Sequence, residues 1–244
     1  MSAARQFILP FPLQSRFTEE DFVSGPSNHE ARAWLDRADS WPHRRLVLWG
    51  PPGSGKTHLL HLWAERHQAE IRPVSSIRDL PEPPHAGALT IDDAEEAPDE
   101  APLFHLLNLA AAAGSTVLLT ARRPPSAWNF KLPDLASRIR ASAQAAIRPP
   151  DDELLRSLLA RLSSDRQLVI PPAVGDYMLA RLPRTYAALS EAVARLDRAA
   201  MTNRGAVTRG LAAAVIAEMQ DGDATGTESD PVCHHDDIPM IFTL

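Results

Sequence analysis

The stretch "LVLWGPPGSGKT", residues 46–57, decides the fold of this chain. Its first four residues are consecutively apolar, which is typical of a short buried parallel strand. The next eight, Gly50 to Thr57, fit the pattern G-x-x-x-x-G-K-[ST] of a phosphate-binding loop between a strand and a helix. The glycines let backbone N–H groups turn inward around phosphate oxygens, and the helix N-terminus adds positive potential. A flexible glycine loop without a ligand is the weaker alternative, because strand and helix flank the motif.

The motif assigns a role to its polar end. Lys56 is expected to reach the terminal phosphates of a nucleotide, and Thr57 is expected to ligate Mg²⁺. The residues predicted to hold the nucleotide are Gly50, Pro51, Pro52, Gly53, Ser54, Gly55, Lys56 and Thr57.

Strands and helices alternate along the first 150 residues, which predicts a doubly wound α/β layer. Pro73 makes one strand candidate weaker, because proline fits only at an edge or a strand end. The predicted strands are 46–49, 70–74, 88–92 and 116–120; the predicted helices are 57–68, 102–113 and one that Ser27 or Asn28 caps.

The predicted strand "ALTID" ends in Asp92 and is followed by Asp93, and both acids are expected beside the phosphate loop. Parallel strands end at one edge of the sheet, so Asp92 is predicted to hold Mg²⁺ there and Asp93 to orient the attacking water. Two solvated acids at a strand end, with Glu95 and Glu96 just beyond, are the alternative. The distance of about forty residues from the loop favours the functional interpretation.

From residue 151 onward the sequence predicts only helices. The first carries leucines on one face, the second begins near Pro172, the third shows a clean apolar stripe, and the fourth starts after Thr208. Residues 221–244 are polar and acidic and are predicted to be disordered. The leucines are Leu154, Leu155, Leu158, Leu159 and Leu162; the stripe is Tyr186, Leu189, Val193, Leu196 and Ala200.

Composition restricts the class of protein. The chain has 244 residues, a formal net charge of −6 and one cysteine, so we expect a reducing compartment and no large nucleic-acid surface. Residues 103–121 lack charge, but Gly114 and its neighbours interrupt them, which favours a helix followed by a strand over a membrane span. No signal peptide is recognised, and a cytoplasmic location is expected.

Three further segments carry a resemblance: "DFVSGPSNHEAR" (21–32), "LPDLASRIR" (132–140) and "LPRTYAALSEAVARLDRA" (182–199). With the phosphate loop they resemble the AAA+ ATPases of the replication initiator DnaA, and most closely the Hda type that inactivates DnaA. The resemblance implies an AAA+ parallel sheet with flanking helices and a small all-α lid. The implied segments are an N-terminal arm, 1–16, an α/β domain, 17–150, a lid, 151–220, and an acidic tail, 221–244.

The resemblance also implies residue roles. Arg138 matches the arginine finger, which is presented to a neighbour's γ-phosphate, and Arg184 matches the sensor-2 arginine of the lid. Phe22 and Val23 match the segment that lies against the adenine. The implied cofactors are ADP or ATP with Mg²⁺.

One position departs from the family pattern. After the strand that ends at Thr120, DnaA-like proteins commonly carry a small residue and then an acid, but here Arg122 occupies the acidic position. Because arginine accepts no hydrogen bond, we expect Thr120 to act alone as sensor 1 and the chain's own ATPase activity to be weak.

The N-terminal "RQFILPFPLQ", residues 5–14, is apolar where a chain end is usually polar. It resembles the hexapeptide that enters the pocket of the β sliding clamp, although Phe7 replaces the usual leucine. Its two prolines preset an extended backbone. Burial of the arm against its own domain is the alternative. The predicted clamp-binding residues are Gln6, Phe7, Leu9, Pro10 and Phe11.

The leading hypothesis is a regulator that is tethered to the clamp and supplies Arg138 to DnaA·ATP. Its expected partners are DnaA and the β sliding clamp, with DNA reached only through the clamp, no membrane, and a homo-oligomer left open. An autonomous ATPase acting on DNA, such as a helicase loader, is the alternative, and a nucleotide-gated scaffold is a third. No helix-turn-helix domain is expected after the last predicted helix, because only an acidic segment follows it here. "CHHDD", 233–237, is expected to be solvated rather than metal-bound.

Overall fold

Five parallel strands form the centre of the molecule. The computed structural model describes residues 17–19, 22–78, 81–85, 87–202 and 206–225. The strand order is β2-β3-β4-β1-β5, and every neighbouring pair is parallel. The strands are β1 (Arg45–Trp49), β2 (Glu70–Pro73), β3 (Ala88–Asp92), β4 (Thr116–Ala121) and β5 (Ala143–Ala146).

Helices cover both faces of this sheet, because successive strand residues point to opposite sides. In β1, Leu46 and Leu48 pack into the core beneath α1 and α2, whereas Val47 packs into the core beneath α3 and α4. All of β4 is buried, as expected for a central strand. The helices are α1 (Pro26–Leu35), α2 (Lys56–His67), α3 (Glu100–Ala112) and α4 (Pro133–Arg140).

A four-helix lid with its own core follows the sheet. All five predicted leucines of its first helix are buried there, and Val23 from the N-terminal side packs against them. The helices are α5 (Asp152–Asp165), α6 (Pro172–Leu179), α7 (Tyr186–Thr202) and α8 (Arg209–Thr225).

The predicted fold class is confirmed, and two helix ends differ from the prediction. Helix α1 begins at Pro26 with Gly25 as its N-cap, so the prediction of Ser27 or Asn28 as the cap was wrong. Asn28 belongs to the first turn of the helix, and its side-chain oxygen accepts the Gly25 N–H. Helix α8 continues to Thr225, past the predicted start of the tail at residue 221.

Two elements were not predicted, and one ambiguity is settled. Strand β5 has the sequence "AQAA", and α4 has only eight residues, so neither carries a strong pattern. The uncharged stretch 103–121 is a helix that ends at Ala112 and a strand that begins at Thr116. Within the described ranges, no helix is long and apolar enough to cross a membrane.

The start of α5 allows a stability test. The Asp151 carboxylate accepts the Leu154 N–H at 2.8 Å and caps the helix. Asp151→Ala is expected to lower the free energy of unfolding by about 1 kcal/mol, as loss of an N-cap does. Thermal denaturation measures it, and Asp151→Asn, which keeps the acceptor, is the control. Equal destabilisation by both variants would contradict the capping role.

Candidate functional site

The phosphate loop leaves β1 at a point too narrow for a side chain. A Cβ at Gly50 would lie 2.6 Å from the Ile147 carbonyl oxygen, and the Gly50 N–H donates to the Ala121 carbonyl at 3.1 Å. Gly53 and Gly55 have positive φ values of 69° and 91°, which glycine adopts without strain. The three glycines therefore hold the loop against the ends of β4 and β5.

Lys56 is buried under this loop. Its Nζ donates to the carbonyl oxygens of Gly50 and Pro51, both at 2.9 Å. Burial lowers the pKa of Lys56, and the nearby carboxylates of Asp93 and Asp92 oppose that shift. The amine is thus held beside the loop, where a phosphate would also offset its burial.

A row of hydrogen bonds joins the loop to β3 and β4. The Asp92 carboxylate accepts from Thr57 Oγ1 at 3.2 Å and from Thr120 Oγ1, and Thr120 Oγ1 accepts the Asp93 N–H at 2.9 Å. The predicted Mg²⁺ pair, Thr57 and Asp92, and the predicted sensor Thr120 are therefore in direct contact. Asp93 has a φ of 51°, a left-handed conformation that turns the chain at the strand end.

These residues fit a nucleotide and Mg²⁺. Ser54 Oγ is buried in the loop without a hydrogen-bond partner, so a phosphate oxygen could satisfy it. A hydroxyl and a carboxylate are oxygen ligands of the kind that Mg²⁺ prefers. Over the part of the chain that the structure describes, no group of three or more His, Cys, Asp or Glu could hold a metal.

Glu95 was assigned no role from the sequence. Its carboxylate oxygens accept the backbone N–H groups of Arg122 and Arg123 at 2.9 and 3.2 Å, and its side chain is only 3% exposed. It fixes the turn after β4, and the Arg122 guanidinium pairs with Glu96 at 3.1 Å. The sequence signal was the pair of acids just after "ALTIDD". Local sequence could not show that Glu95 is buried against a turn whose residues lie 27 positions further along the chain.

The helical lid and the segment before α1, which contains residues 17–19 and Phe22, both contact the phosphate loop or the helix that follows it. The Tyr186 N–H donates to the Gly53 carbonyl at 3.2 Å, where α7 begins. On the other side, the Phe22 ring lies 3.3 Å from the position of a Cβ on Gly55 and 5.3 Å from the His58 ring. The predicted adenine-side residues Phe22 and Val23 thus lie between the loop and the lid.

The N-terminal side of Phe22 is attached to α2. The Phe17 ring stacks on His61 with centroids 4.2 Å apart, and His58 Nε2 donates to the Thr18 carbonyl at 2.9 Å. Glu19 pairs with Arg32 of α1 at 2.6 Å. The segment is therefore held on both α1 and α2.

Arg184 has partners at the junction with the lid. It pairs with the Asp152 carboxylate at 2.7 Å and donates to the Pro150 carbonyl at 3.1 Å. It would have to exchange these partners to reach a nucleotide, so its sensor-2 role stays a prediction.

Arg138 lies far from the phosphate loop of its own chain. Its guanidinium carbon is 5.0 Å from the centroid of the Phe104 ring, and its charge lowers the pKa of Arg45, the first residue of β1. The loop follows the other end of β1, about 16 Å away along five strand residues. The predicted clamp-binding residues Gln6, Phe7, Leu9, Pro10 and Phe11 lie outside the described residues.

Two family models match this chain. The model described as "Hda, lid domain" matches residues 151–214, and the model described as "Bacterial DnaA ATPAse domain" matches residues 13–75. The first covers most of the helical lid, and the second covers the phosphate loop and the segment before it.

Known proteins are similar over most of the chain. The chromosomal replication initiator protein DnaA of Thermomicrobium roseum is 28% identical over 91% of this chain, which spans about half (54%) of that relative's length. Domain III of Thermotoga maritima DnaA has a TM-score of 0.70 at 22% identity, covering 85% of this chain and 98% of that one. AMPPCP-bound DnaA from Aquifex aeolicus has a TM-score of 0.62 at 16% identity, covering 80% and 71%.

The narrow exit from β1 predicts a sensitive position. Gly50→Ala places a methyl against the Ile147 carbonyl oxygen and is expected to lower nucleotide affinity about tenfold or more, since overpacking costs about 1–3 kcal/mol. Titration with a fluorescent ADP or ATP analogue measures it. Gly87→Ala is the matched control, because a Cβ there meets nothing within 4 Å. Unchanged affinity in Gly50→Ala would exclude the loop as the binding site.

Proposed function

This chain belongs to the DnaA-like AAA+ proteins of the Hda type, and on that premise we propose that it is a nucleotide-binding regulator of the initiator DnaA. It binds ADP or ATP with Mg²⁺ and stimulates the hydrolysis of ATP that is bound to DnaA. It acts in trans, by supplying Arg138 to the nucleotide of its partner.

Nucleotide binding is supported by the contacts at the carboxyl edge of the sheet. Lys56, the loop N–H groups and Ser54 Oγ would hold the phosphates, and Thr57 with Asp92 would hold Mg²⁺. A nucleotide at this loop would bring its negative charge close to the point where the Tyr186 N–H of the lid donates to the Gly53 carbonyl. The similar DnaA from Aquifex aeolicus is AMPPCP-bound, which agrees with this ligand class.

The position of Arg138 carries the proposal of action in trans. Its neighbour Arg45 stands at the amino end of β1, whereas the phosphate loop starts after the carboxyl end. An arginine on that side cannot stabilise charge on its own nucleotide, but it is partly exposed and can meet a neighbouring protein. Arginine fingers of this kind raise hydrolysis rates by about 10³ to 10⁵.

Weak hydrolysis by the chain itself is supported by the turn after β4. The family's acidic position holds Arg122, which pairs with Glu96, while Glu95 is engaged by backbone N–H groups. The Asp92 carboxylate accepts a hydrogen bond from Thr120, so of the four acids Asp92, Asp93, Glu95 and Glu96 only Asp93 is left to orient a water. These contacts support nucleotide binding with weak hydrolysis by the chain itself.

Tethering to the β sliding clamp is the second part of the proposal. Residues 6–11 would enter the clamp pocket, with Leu9 and Phe11 in apolar subsites and Gln6 at the rim. Such a short peptide binds on the order of micromolar, so the tether concentrates the regulator where clamps are loaded.

Two alternatives remain distinguishable by one assay. An autonomous ATPase, such as a helicase loader, predicts DNA-stimulated turnover by this protein without DnaA. A nucleotide-gated scaffold predicts regulation that survives Arg138→Ala but is lost in Lys56→Ala.

The central prediction concerns Arg138. Arg138→Ala is expected to lower the stimulated hydrolysis of DnaA-bound ATP by about 10³ at unchanged nucleotide affinity, because the guanidinium acts only on the partner's phosphate. The assay contains DnaA·ATP, DNA-loaded clamp and this protein. Arg140→Ala, an exposed arginine of the same helix, is the control. Full stimulation by Arg138→Ala would refute the finger.

Removal of the arm tests the tether. Deletion of residues 1–12 is expected to abolish clamp binding in surface plasmon resonance and to leave the melting temperature and nucleotide affinity nearly unchanged. A large drop in the melting temperature would instead support the alternative that the arm packs on its own domain.

A further inference from the structure

Arg45 is a buried cation without a counter-charge. It is the first residue of β1 and is only 6% exposed, and its buried Nε has no hydrogen-bond partner. Among the residues that the structure describes, no carboxylate forms an ion pair with it. A guanidinium stays protonated in proteins, so this charge persists.

A second cation lies close to this position, because Leu46 pairs with Ala143 in the sheet and the preceding Ser142 donates its hydroxyl to the Arg138 carbonyl. Burial lowers the pKa of Arg45, and the like charge of Arg138 lowers it further. An uncompensated buried charge is among the more destabilising features that a fold can retain. A hydrophobic side chain would suit this strand end better, so the arginine needs a reason beyond stability.

Neighbouring contacts at this edge are neutral. Arg44 donates to Thr116 Oγ1 at 3.1 Å, Arg138 lies over the Phe104 ring, and the Ser142 hydroxyl donates to the Arg138 carbonyl at 3.0 Å. A hydroxyl and an aromatic ring orient guanidinium groups without neutralising them. Three arginines therefore keep their full charge at the amino edge of β1. Arg44 is exposed and Arg138 is partly exposed, whereas Arg45 is buried, so water screens the charge of Arg45 least.

We propose that Arg45 is a positioning residue of a two-arginine anion site, in which Arg138 contacts the terminal phosphate of a partner-bound nucleotide and Arg45 adds charge from beneath. The inference rests on the proposed function, because it assumes that Arg138 contacts a phosphate of the nucleotide bound to the partner. Arg45 repels Arg138 toward the partner while the Phe104 ring limits its movement. Both guanidiniums contribute to the potential that attracts the phosphate.

The test compares Arg45→Met, which keeps the length and removes the charge, with Arg45→Lys, which keeps the charge. Stimulated hydrolysis of DnaA-bound ATP is measured with the full-length protein and DNA-loaded clamp at 50 and 300 mM KCl. Arg45→Met is expected to stimulate about tenfold less at low salt, with a smaller deficit at high salt, because salt screens the lost attraction. Arg45→Lys is expected to retain most of the stimulation.

Stability separates this role from a merely structural one. Because Arg45→Met removes an unpaired buried charge, its melting temperature is expected to equal or exceed that of the wild type. A lower melting temperature together with lower stimulation, shared by Arg45→Gln, would assign Arg45 a structural role and overturn the inference.

Arg138→Ala in the same assay distinguishes the two failures. Full stimulation by Arg45→Met, with stimulation lost in Arg138→Ala, overturns the inference and leaves the proposed function intact. Full stimulation by Arg138→Ala refutes the proposed function itself.

Discussion

The Asp92 carboxylate joins the parts of the molecule that must act together. It accepts hydrogen bonds from Thr57, in the first turn after the phosphate loop, and from Thr120, near the end of the central strand. Because β3 and β4 are parallel neighbours, their polar ends meet at one edge, and the loop from β1 arrives at the same edge. This side chain thereby joins the helix after the loop to the centre of the sheet, and the loop in turn contacts the lid at Gly53.

Much of this arrangement follows from sequence, because strong local patterns coincide with it. The glycine motif fixed the order strand–loop–helix, and an apolar run that ends in Asp92 could only be a strand reaching the same edge. Strand β5 could not be predicted from the sequence, because "AQAA" contains no β-branched or aromatic residue and its conformation comes from pairing with β1. The partners of Arg184 and Glu95 are equally out of reach, since each lies about 30 residues away in the chain.

Opposite edges of the sheet carry different electrostatics. At the carboxyl edge, burial lowers the pKa of Lys56, the carboxylates of Asp93, Asp92 and Glu95 oppose that shift, and Arg122 adds to it, so charges of both signs act on this site. At the amino edge of β1, Arg44, Arg45 and Arg138 meet only neutral groups. The sequence pattern does not predict this separation of charge between the two edges. Arginines are scattered along the chain, and only the fold brings particular ones together.

The attachment of Phe17 and Thr18 to α2 has a mechanical consequence. His61, which stacks on Phe17, lies five residues after Lys56, about 7.5 Å along the helix axis. Tension that enters the chain from its N-terminal side therefore acts on α2 within two turns of the phosphate loop, before it reaches any strand. The N-terminal attachment and the phosphate loop therefore share one helix, with Lys56 at its start and His61 in its second turn.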